Sequence, residues 1–176
     1  MTDDTASVEV RRLTAADAEA FRTLRLEALS AAPEAFSASH ADELLKSEGW
    51  FSTILAGEAA TAVFGAFANG ELVGMAGFGS NAQEKLRHKG ALWSVYVREA
   101  WRRRGIGRSV VIEVIRHAHG KVLLLQATTS ADNVEARAFY DHLGFVTYGI
   151  EPKALRIGDT FFDDVLMSFD LSGRRP

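Results

Sequence analysis

The sequence predicts an α/β fold in which a mixed sheet of about six or seven strands carries helices on both faces. Short runs rich in β-branched and aromatic residues alternate with amphipathic helical segments along the chain. Two of these runs are joined by Asn69-Gly70, the strongest short hairpin signal in the sequence. The stretch Val95–Val110 leads from a strand through a glycine-rich turn into a helix. Strands interleaved with helices in this way are typical of one sheet between two helical layers.

The composition bounds the class of protein. A chain of 176 residues, 47% of them hydrophobic, predicts one globular domain over residues 1–176. The formal net charge of -3 argues against a general nucleic-acid-binding protein. The absence of cysteine excludes disulfides, thiolate metal sites and a cysteine nucleophile. The first residues lack a signal-peptide pattern and no apolar run of about 18 residues occurs, so we expect a soluble cytoplasmic protein without membrane contact.

The chain begins with a strand and a helix. Val8–Arg12 alternates apolar and polar residues and predicts the first strand. Thr14 with Asp17 three residues on is a capping-box arrangement, so a helix is expected to begin there. Apolar residues keep helical spacing to about Ser30, and Pro33 closes the element. Residues 1–7 and 172–176 are expected to fray.

A second helix and a hairpin follow. Ser39–Leu55 predicts a less regular helix, because Gly49 interrupts it. Val63–Ala68 and Leu72–Phe78 are strand-like and are expected to pair antiparallel across the Asn-Gly turn. Ser80–Gly90 is polar and predicts a loop.

The second half of the chain alternates strands and helices more regularly. Leu92–Val97 predicts a buried central strand, and an amphipathic helix follows it. Val122–Thr128 is a continuous apolar run, which predicts a fully buried strand. The remaining predicted elements are a helix begun by Asn133 and ended by Gly144, and strands at Phe145–Tyr148, Ala154–Ile157 and Phe161–Phe169, the last two around a Gly158-Asp159 turn.

Four arginines lie where the central helix begins. Arg102, Arg103, Arg104 and Arg108 surround Gly105 and Gly107. Cations are unfavourable at a helix N-terminus, which already carries partial positive charge. We therefore infer that a polyanion completes this site and that the glycines let it approach the backbone, so phosphate binding is expected.

The spacing of this loop separates it from two common phosphate motifs. A P-loop needs Lys followed by Ser or Thr, whereas this chain has Arg108-Ser109. A dinucleotide fingerprint needs a third small residue at Val110. The remaining pattern, Arg-x-x-Gly-x-Gly, resembles the pyrophosphate-binding motif of the GCN5-related N-acetyltransferases, the GNAT family. The stretch Asn133–Phe145, with its Phe-Tyr pair and Leu-Gly-Phe ending, is similar to the other half of the acetyl-CoA site in that family.

The GNAT resemblance implies a fold, a co-substrate and a site. The fold has splayed central parallel strands, and acetyl-CoA binds as co-substrate without a metal. Backbone groups of the strand bind pantetheine and polarise the thioester, whereas loop N–H groups bind the pyrophosphate. The resemblance assigns cofactor binding to Val95, Tyr96, Val97, Arg102, Arg103, Arg104, Gly105, Ile106, Gly107, Arg108, Asn133, Ala136 and Tyr140. The chain departs from the family at Arg103, where glycine is usual, and at Glu99, where proline is common.

The resemblance also implies a catalytic residue. Tyr140 is the expected general acid, because a phenol is protonated at neutral pH and can donate a proton to the departing thiolate. The alternative interpretation is a core aromatic, since Ala136, Phe139, Tyr140 and Leu143 share one helix face. Asn133 is expected to cap its helix as well as to contact the cofactor.

The general base and the acceptor are open. By position alone the candidates for the base are Glu27, Glu34, Asp163 and Asp164. The acceptor is expected to be a small-molecule or peptide primary amine, and Phe36, Trp50, Phe51, Phe161 and Phe162 hint at apolar parts in it. Residues 24–39 resemble a bacterial branch of the family whose acceptors are mostly unassigned.

Three functions follow from these patterns. The first is an N-acetyltransferase that works by direct attack in a ternary complex, as a monomer or a homodimer. A non-catalytic acyl-CoA-binding sensor or partner module is the alternative. An arginine-rich RNA contact is a third class, although no nucleic-acid partner is expected from the overall charge.

Overall fold

The computed structural model describes residues 7–57 and 60–173. Within them the chain forms one seven-stranded sheet, in the order β1-β2-β3-β4-β5-β7-β6. Neighbouring strands are antiparallel except β4 and β5, which are parallel. The strands are β1 Val8–Arg12, β2 Thr61–Ala68, β3 Glu71–Ser80, β4 Lys89–Val97, β5 Leu124–Ser130, β6 Val146–Ile157 and β7 Thr160–Asp170. The helices are α1 Ala18–Ala31, α2 His40–Leu44, α3 Glu48–Ala56, α4 Ile106–Ala118 and α5 Val134–Leu143, with single 3-10 turns at Ala15–Asp17, Pro33–Ala35 and Glu99–Trp101.

Helices cover both faces of the sheet, as predicted. Val110 and Val114 of α4 are buried in one apolar cluster, and Phe21 and Leu24 of α1 with Phe51 of α3 belong to another. The sheet supplies alternate residues to the two clusters, because successive side chains of a strand point to opposite faces. The sheet residues in the α1 and α3 cluster include Val63, Leu72 and Met75, and those in the α4 cluster include Phe64, Val73 and Ala76.

The predicted hairpin is confirmed. β2 and β3 pair antiparallel, with Ala68 opposite Glu71. Asn69 and Gly70 both have positive φ, at 51° and 80°. Two left-handed residues in a two-residue turn give the twist that antiparallel strands need.

The predicted helix Ser39–Leu55 is wrong in its continuity. The structure has two helices, α2 and α3, separated at residues 45–47, and Gly49 lies in the first turn of α3. The break comes from a second cap, because Ser47 Oγ accepts from Trp50 N at 3.3 Å and begins a new helix. Ser39 caps α2 in the same way, accepting from Asp42 N at 3.0 Å.

Two strand predictions need correction. The strand predicted at Val122–Thr128 is β5 at Leu124–Ser130 in the structure. It was predicted to be fully buried, but its burial alternates because the cluster of α1 and α3 takes no residue from β5. The segments Phe145–Tyr148 and Ala154–Ile157 belong to one strand, β6, whose register shifts absorb the irregular part between them. The predicted frayed ends lie outside the described residues, apart from Ser7, Ser172 and Gly173.

The parallel strands β4 and β5 diverge, as predicted. They pair only over Lys89–Ala91 of β4. Beyond that point β4 contains a bulge: Gly77 pairs with Trp93 and Met75 with Tyr96, so two residues of β4 lie opposite one of β3. The first of these, Ser94, has a φ of 58°. A bulge bends its strand, so it accounts for the opening between β4 and β5.

Candidate functional site

The divergence of β4 and β5 opens a cleft of about 220 Å³. Residues 92–95 of β4 form one wall, and Thr128 and Thr129 of β5 form the other. The first turns of α5 and residues 35–38, which follow α1, close the remaining sides together with Arg25. Because β4 is unpaired with β5 along this stretch, its backbone groups on that side are available to a ligand.

The glycine-rich loop places free N–H groups at the start of α4. Gly105 caps the helix with a φ of 78°, a left-handed conformation that favours glycine. The first helical hydrogen bond joins Ser109 N to Gly105 O at 3.0 Å. The N–H groups of Ile106, Gly107 and Arg108 precede that bond and therefore have no acceptor within the helix. This geometry suits an anion.

The loop also explains the departure at Arg103. This residue has a φ of 62°, so it adopts the left-handed conformation that glycine would reach more easily. Its side chain extends into solvent and comes only to 3.9 Å from Glu135. The loop therefore keeps the backbone conformation expected of glycine at this position, at some cost in strain.

The arginines around the loop are poorly compensated by acids. In the described part of the chain, Glu135 is the one carboxylate within 4.0 Å of these four guanidinium groups. Arg102 donates from Nε to Val97 O at 3.0 Å, and Arg104 lies 4.7 Å from the centre of the Trp101 ring. The positive charge at this helix start therefore remains available to a polyanion.

Gly107 keeps the region beside the cleft open. A Cβ atom here would lie 3.6 Å from Val97 Cγ2 and 3.7 Å from the Phe139 ring, which is ordinary contact. A methyl group would fit, whereas a longer side chain would have to pass between Val97 and Phe139. The requirement for glycine is thus one of space rather than of backbone conformation.

Tyr140 combines a packed ring with a free hydroxyl. Its side chain is 7% exposed and makes edge contacts with Phe139 and Phe145, at 5.2 and 5.4 Å between ring centres. The residue lines the cleft, and its hydroxyl makes no hydrogen bond to any described residue. Burial raises the pKa of the Tyr140 phenol above its usual value. The hydroxyl is therefore free to contact a ligand or a reacting group in the cleft.

Asn133 is the N-cap of α5, as predicted. Its Oδ1 accepts from Ala136 N at 3.0 Å. The side-chain Nδ2 of Asn133 takes no part in this capping bond. Asn133 and Ala136 both line the cleft. Their contact with a cofactor stays a prediction.

The side chain of Tyr96 lies on the face of the sheet that α1 and α3 cover. It packs in the cluster of α1 and α3, and its hydroxyl donates to Glu27 Oε1 at 3.2 Å. Burial, and then the charge of Glu27, raise the pKa of Tyr96. The side chain of Tyr96 does not line the cleft, and a contact between its backbone and a cofactor stays a prediction.

The four candidate bases do not line the cleft. Glu27 accepts from Arg98 Nε at 2.9 Å, and Asp163 Oδ1 accepts from Lys153 N at 2.7 Å. Burial, followed by the charge of Glu151, raises the pKa of Asp164. Glu34 lines a second hollow, of about 540 Å³, which adjoins the cleft at Asn133.

A polar cluster at the site, formed by Arg25, Glu43 and Ser94, was not predicted. Arg25 lines the cleft, holds Glu43 through two hydrogen bonds and donates to Ser94 at the bulge. The available signal was a charged residue on an apolar helix face, between Leu24 and Ala28. Such a residue is rarely buried without a partner, but its partner cannot be read from helical spacing.

Within residues 7–57 and 60–173, no three His, Cys, Asp or Glu side chains are grouped so that they could hold a metal ion. None of the described helices has the length and apolar character needed to cross a membrane.

Comparisons with known proteins agree with this geometry. The sequence model described as "Acetyltransferase (GNAT) family" matches residues 21–145. A search of curated protein sequences gave no significant match.

Solved structures share the fold across nearly the whole chain. An acetyltransferase of the GNAT family from Streptococcus pneumoniae is 24% identical, with a TM-score of 0.84 over 94% of this chain and 99% of that one. The ribosomal-protein-alanine N-acetyltransferase of Brucella melitensis is 25% identical, with a TM-score of 0.76 over 93% and 99%. A putative acetyltransferase from Salmonella typhimurium, solved with its cofactor acetyl-CoA, is 19% identical, with a TM-score of 0.78 over 96% of both chains.

Proposed function

The chain belongs to the acetyltransferase (GNAT) family, and from that premise we propose that it transfers an acetyl group from acetyl-CoA to a primary amine by direct attack. The observation that carries the proposal is the cleft between β4 and β5, which has unpaired backbone on one wall and the Tyr140 hydroxyl beside it. The amine nitrogen forms the amide bond as the carbon–sulfur bond breaks, and coenzyme A leaves as the thiol.

The loop at α4 binds the pyrophosphate. The N–H groups of Ile106, Gly107 and Arg108 lack acceptors within the helix, and among the described residues the surrounding arginines have one acid within 4.0 Å, the exposed Glu135. These N–H groups and side chains fit a doubly charged anion that the helix N-terminus also favours. The residues present therefore suit the phosphates of acetyl-CoA.

Strand β4 holds and polarises the acyl end of the co-substrate. Its residues Ser94–Val97 follow the last pairing with β5, so backbone N–H groups on that side can donate to an oxygen that becomes negative. One fixed donor of this kind contributes about 3 kcal/mol to lowering a barrier.

Tyr140 supplies the proton for the thiolate. Its raised pKa keeps the phenol protonated at neutral pH but also makes it a weaker acid than usual. Transfer to a free thiolate, whose conjugate acid has a pKa of about 8.5, would therefore be uphill. We assign the donation to the moment when negative charge develops on sulfur, when the hydrogen bond is strongest.

The acceptor enters from the side of residues 35–38. Phe36 lines the cleft and Phe162 lines the adjoining hollow, so two of the five aromatic residues singled out from the sequence can meet an acceptor. Phe51 cannot, because it is fully buried in the cluster of α1 and α3. Among the four carboxylates, Glu34 has the best position to take the proton of the amine, since its hollow joins the cleft.

Turnover with an amine panel tests the proposal. Purified protein is mixed with acetyl-CoA and small amines or short peptides, and released thiol is measured beside acetyl-CoA affinity by calorimetry. Amine-dependent release of coenzyme A is expected for at least one amine. Tight acetyl-CoA binding without release for any amine would favour the non-catalytic binding module, whereas no binding would contradict both.

A further inference from the structure

A charged pair is buried between α1, α2 and the sheet. Arg25 donates from Nε to Glu43 Oε2 at 2.8 Å and from Nη2 to Glu43 Oε1 at 2.6 Å. Arg25 is 8% exposed and Glu43 is 2% exposed. Burying two charges costs about as much desolvation energy as their attraction returns. Stability alone therefore does not account for an ion pair at this position.

The pair reaches the bulge that opens the cleft. Arg25 Nη1 donates to Ser94 Oγ at 2.5 Å. Ser94 has a φ of 58°, a conformation that costs a non-glycine residue strain and that persists only where surrounding contacts hold it. The hydroxyl of Ser94 gives Arg25 a group to hold, which glycine would not provide.

The pair also anchors one side of the cleft. Glu43 is the buried residue of α2, whereas Leu44 and Leu45 beside it are exposed. The Arg25 guanidinium lies 5.8 Å from the centre of the Phe36 ring and 5.6 Å from that of Trp93. The guanidinium of Arg25 therefore contacts α2, the segment that contains Phe36 and the β4 wall of the cleft.

We propose that Arg25 is a positioning residue for acetyl transfer. Held by Glu43, it fixes the left-handed bulge at Ser94 and so keeps the β4 backbone after the bulge directed at the thioester carbonyl. It acts through Ser94 rather than on the reacting atoms. The inference rests on the proposed function, because it concerns the same cleft and the same step.

Two kinds of variant separate this role from simple packing. Ser94→Gly removes the hydroxyl and relieves the strain, so folding is retained. The double variant Arg25→Met with Glu43→Met removes the pair without leaving an unpaired buried charge. Arg11→Met is the matched control, because Arg11 makes a similar two-bond pair with Asp17, at 2.9 and 2.8 Å, outside the cleft.

Kinetics and carbon NMR give independent readouts. Both cleft variants are expected to lower kcat at least tenfold while the Kd for acetyl-CoA changes less than threefold. Acetyl-CoA labelled with ¹³C at the acetyl carbonyl reports how strongly that carbonyl is polarised when it is bound. In the two cleft variants its signal should move toward the position seen in free solution, because the carbonyl is less polarised. The control should lower Tm and leave kcat and the carbonyl signal unchanged.

The outcomes distinguish the inference from the proposed function. A parent protein that binds no acetyl-CoA overturns the proposed function, and the inference with it. The positioning role alone is overturned if the parent protein binds or turns over acetyl-CoA and the cleft variants keep kcat within twofold of the parent or leave the carbonyl signal unmoved. Equal losses in kcat and in acetyl-CoA affinity would also overturn it, because they would show that the pair only supports the cleft.

Discussion

Replacing Tyr140 by phenylalanine isolates the hydroxyl on which the proposed chemistry depends. The ring packs against Phe139 and Phe145, and the substitution keeps those contacts. Because the hydroxyl makes no hydrogen bond to a described residue, its loss breaks none, and the stability should stay within about 1 kcal/mol of the parent or rise. Any large effect must then come from the reaction.

The expected effect is on kcat. A general acid contributes about 10²-fold or more to rate, and 10²-fold corresponds to about 2.7 kcal/mol in the barrier. In the proposed mechanism, donation occurs only as the carbon–sulfur bond breaks, so the affinity for acetyl-CoA should change little. The raised pKa of Tyr140 keeps the donor protonated, so in the parent its ionisation should not lower kcat up to about pH 9.

The assay is steady-state kinetics with a working amine, together with calorimetry for acetyl-CoA. Tyr148→Phe is the matched control, because Tyr148 is 54% exposed on β6 and its hydroxyl accepts from Gln126, outside the cleft. The control should keep parental kcat. If Tyr140→Phe also stays within about twofold of the parent while chemistry limits the rate, Tyr140 is only a core aromatic.

Three further substitutions test the loop, the cap and an ion pair. Gly107→Glu should weaken acetyl-CoA binding more than tenfold in calorimetry, whereas Gly49→Glu, also at the second position of a helix, should leave it unchanged. Asn133→Ala should lower the free energy of unfolding by about 1 kcal/mol and raise the KM for acetyl-CoA modestly; a melting shift without any KM effect would leave only the cap. The hydrogen bond from Arg11 lowers the pKa of Asp17 to about 2, so the ionised carboxylate stabilises the fold above about pH 4 and that contribution is lost toward pH 2. The Tm difference between parent and Asp17→Asn should therefore be largest near neutral pH and shrink in acid; an unchanged difference would contradict this linkage.

The parts of the fold that could be predicted depend on local sequence. The Asn69-Gly70 turn, the Asn133 cap and the Gly105 start of α4 are each specified by residues within a few positions of one another. The break between α2 and α3 was missed because Gly49 was interpreted as an irregularity within one long helix. In the structure Ser47 caps α3 and so begins a separate helix. Two local signals competed there, and the capping hydrogen bond decided the outcome.

The unpredicted part of the site depends on distant contacts. Arg25 meets Glu43 across 18 residues and Ser94 across 69 residues of chain. No periodicity links these positions, because the contacts arise only when α1 packs on the sheet. The bulge is similar, since its position depends on the pairing of β4 with β3. For the same reason the candidate bases could be named by type, but not placed.

We propose that acetyl-CoA occupies the cleft between β4 and β5 together with the loop that begins α4. A second possible location for acetyl-CoA is a larger hollow of about 760 Å³ beside His119 and Lys121, because this hollow also carries positive charge. Backbone amide NMR of the ¹⁵N-labelled protein, titrated with acetyl-CoA, distinguishes the two. We expect the largest shifts at residues 94–97 and 104–108, with little change at residues 119–123. Shifts concentrated at residues 119–123 would contradict the proposed location of acetyl-CoA.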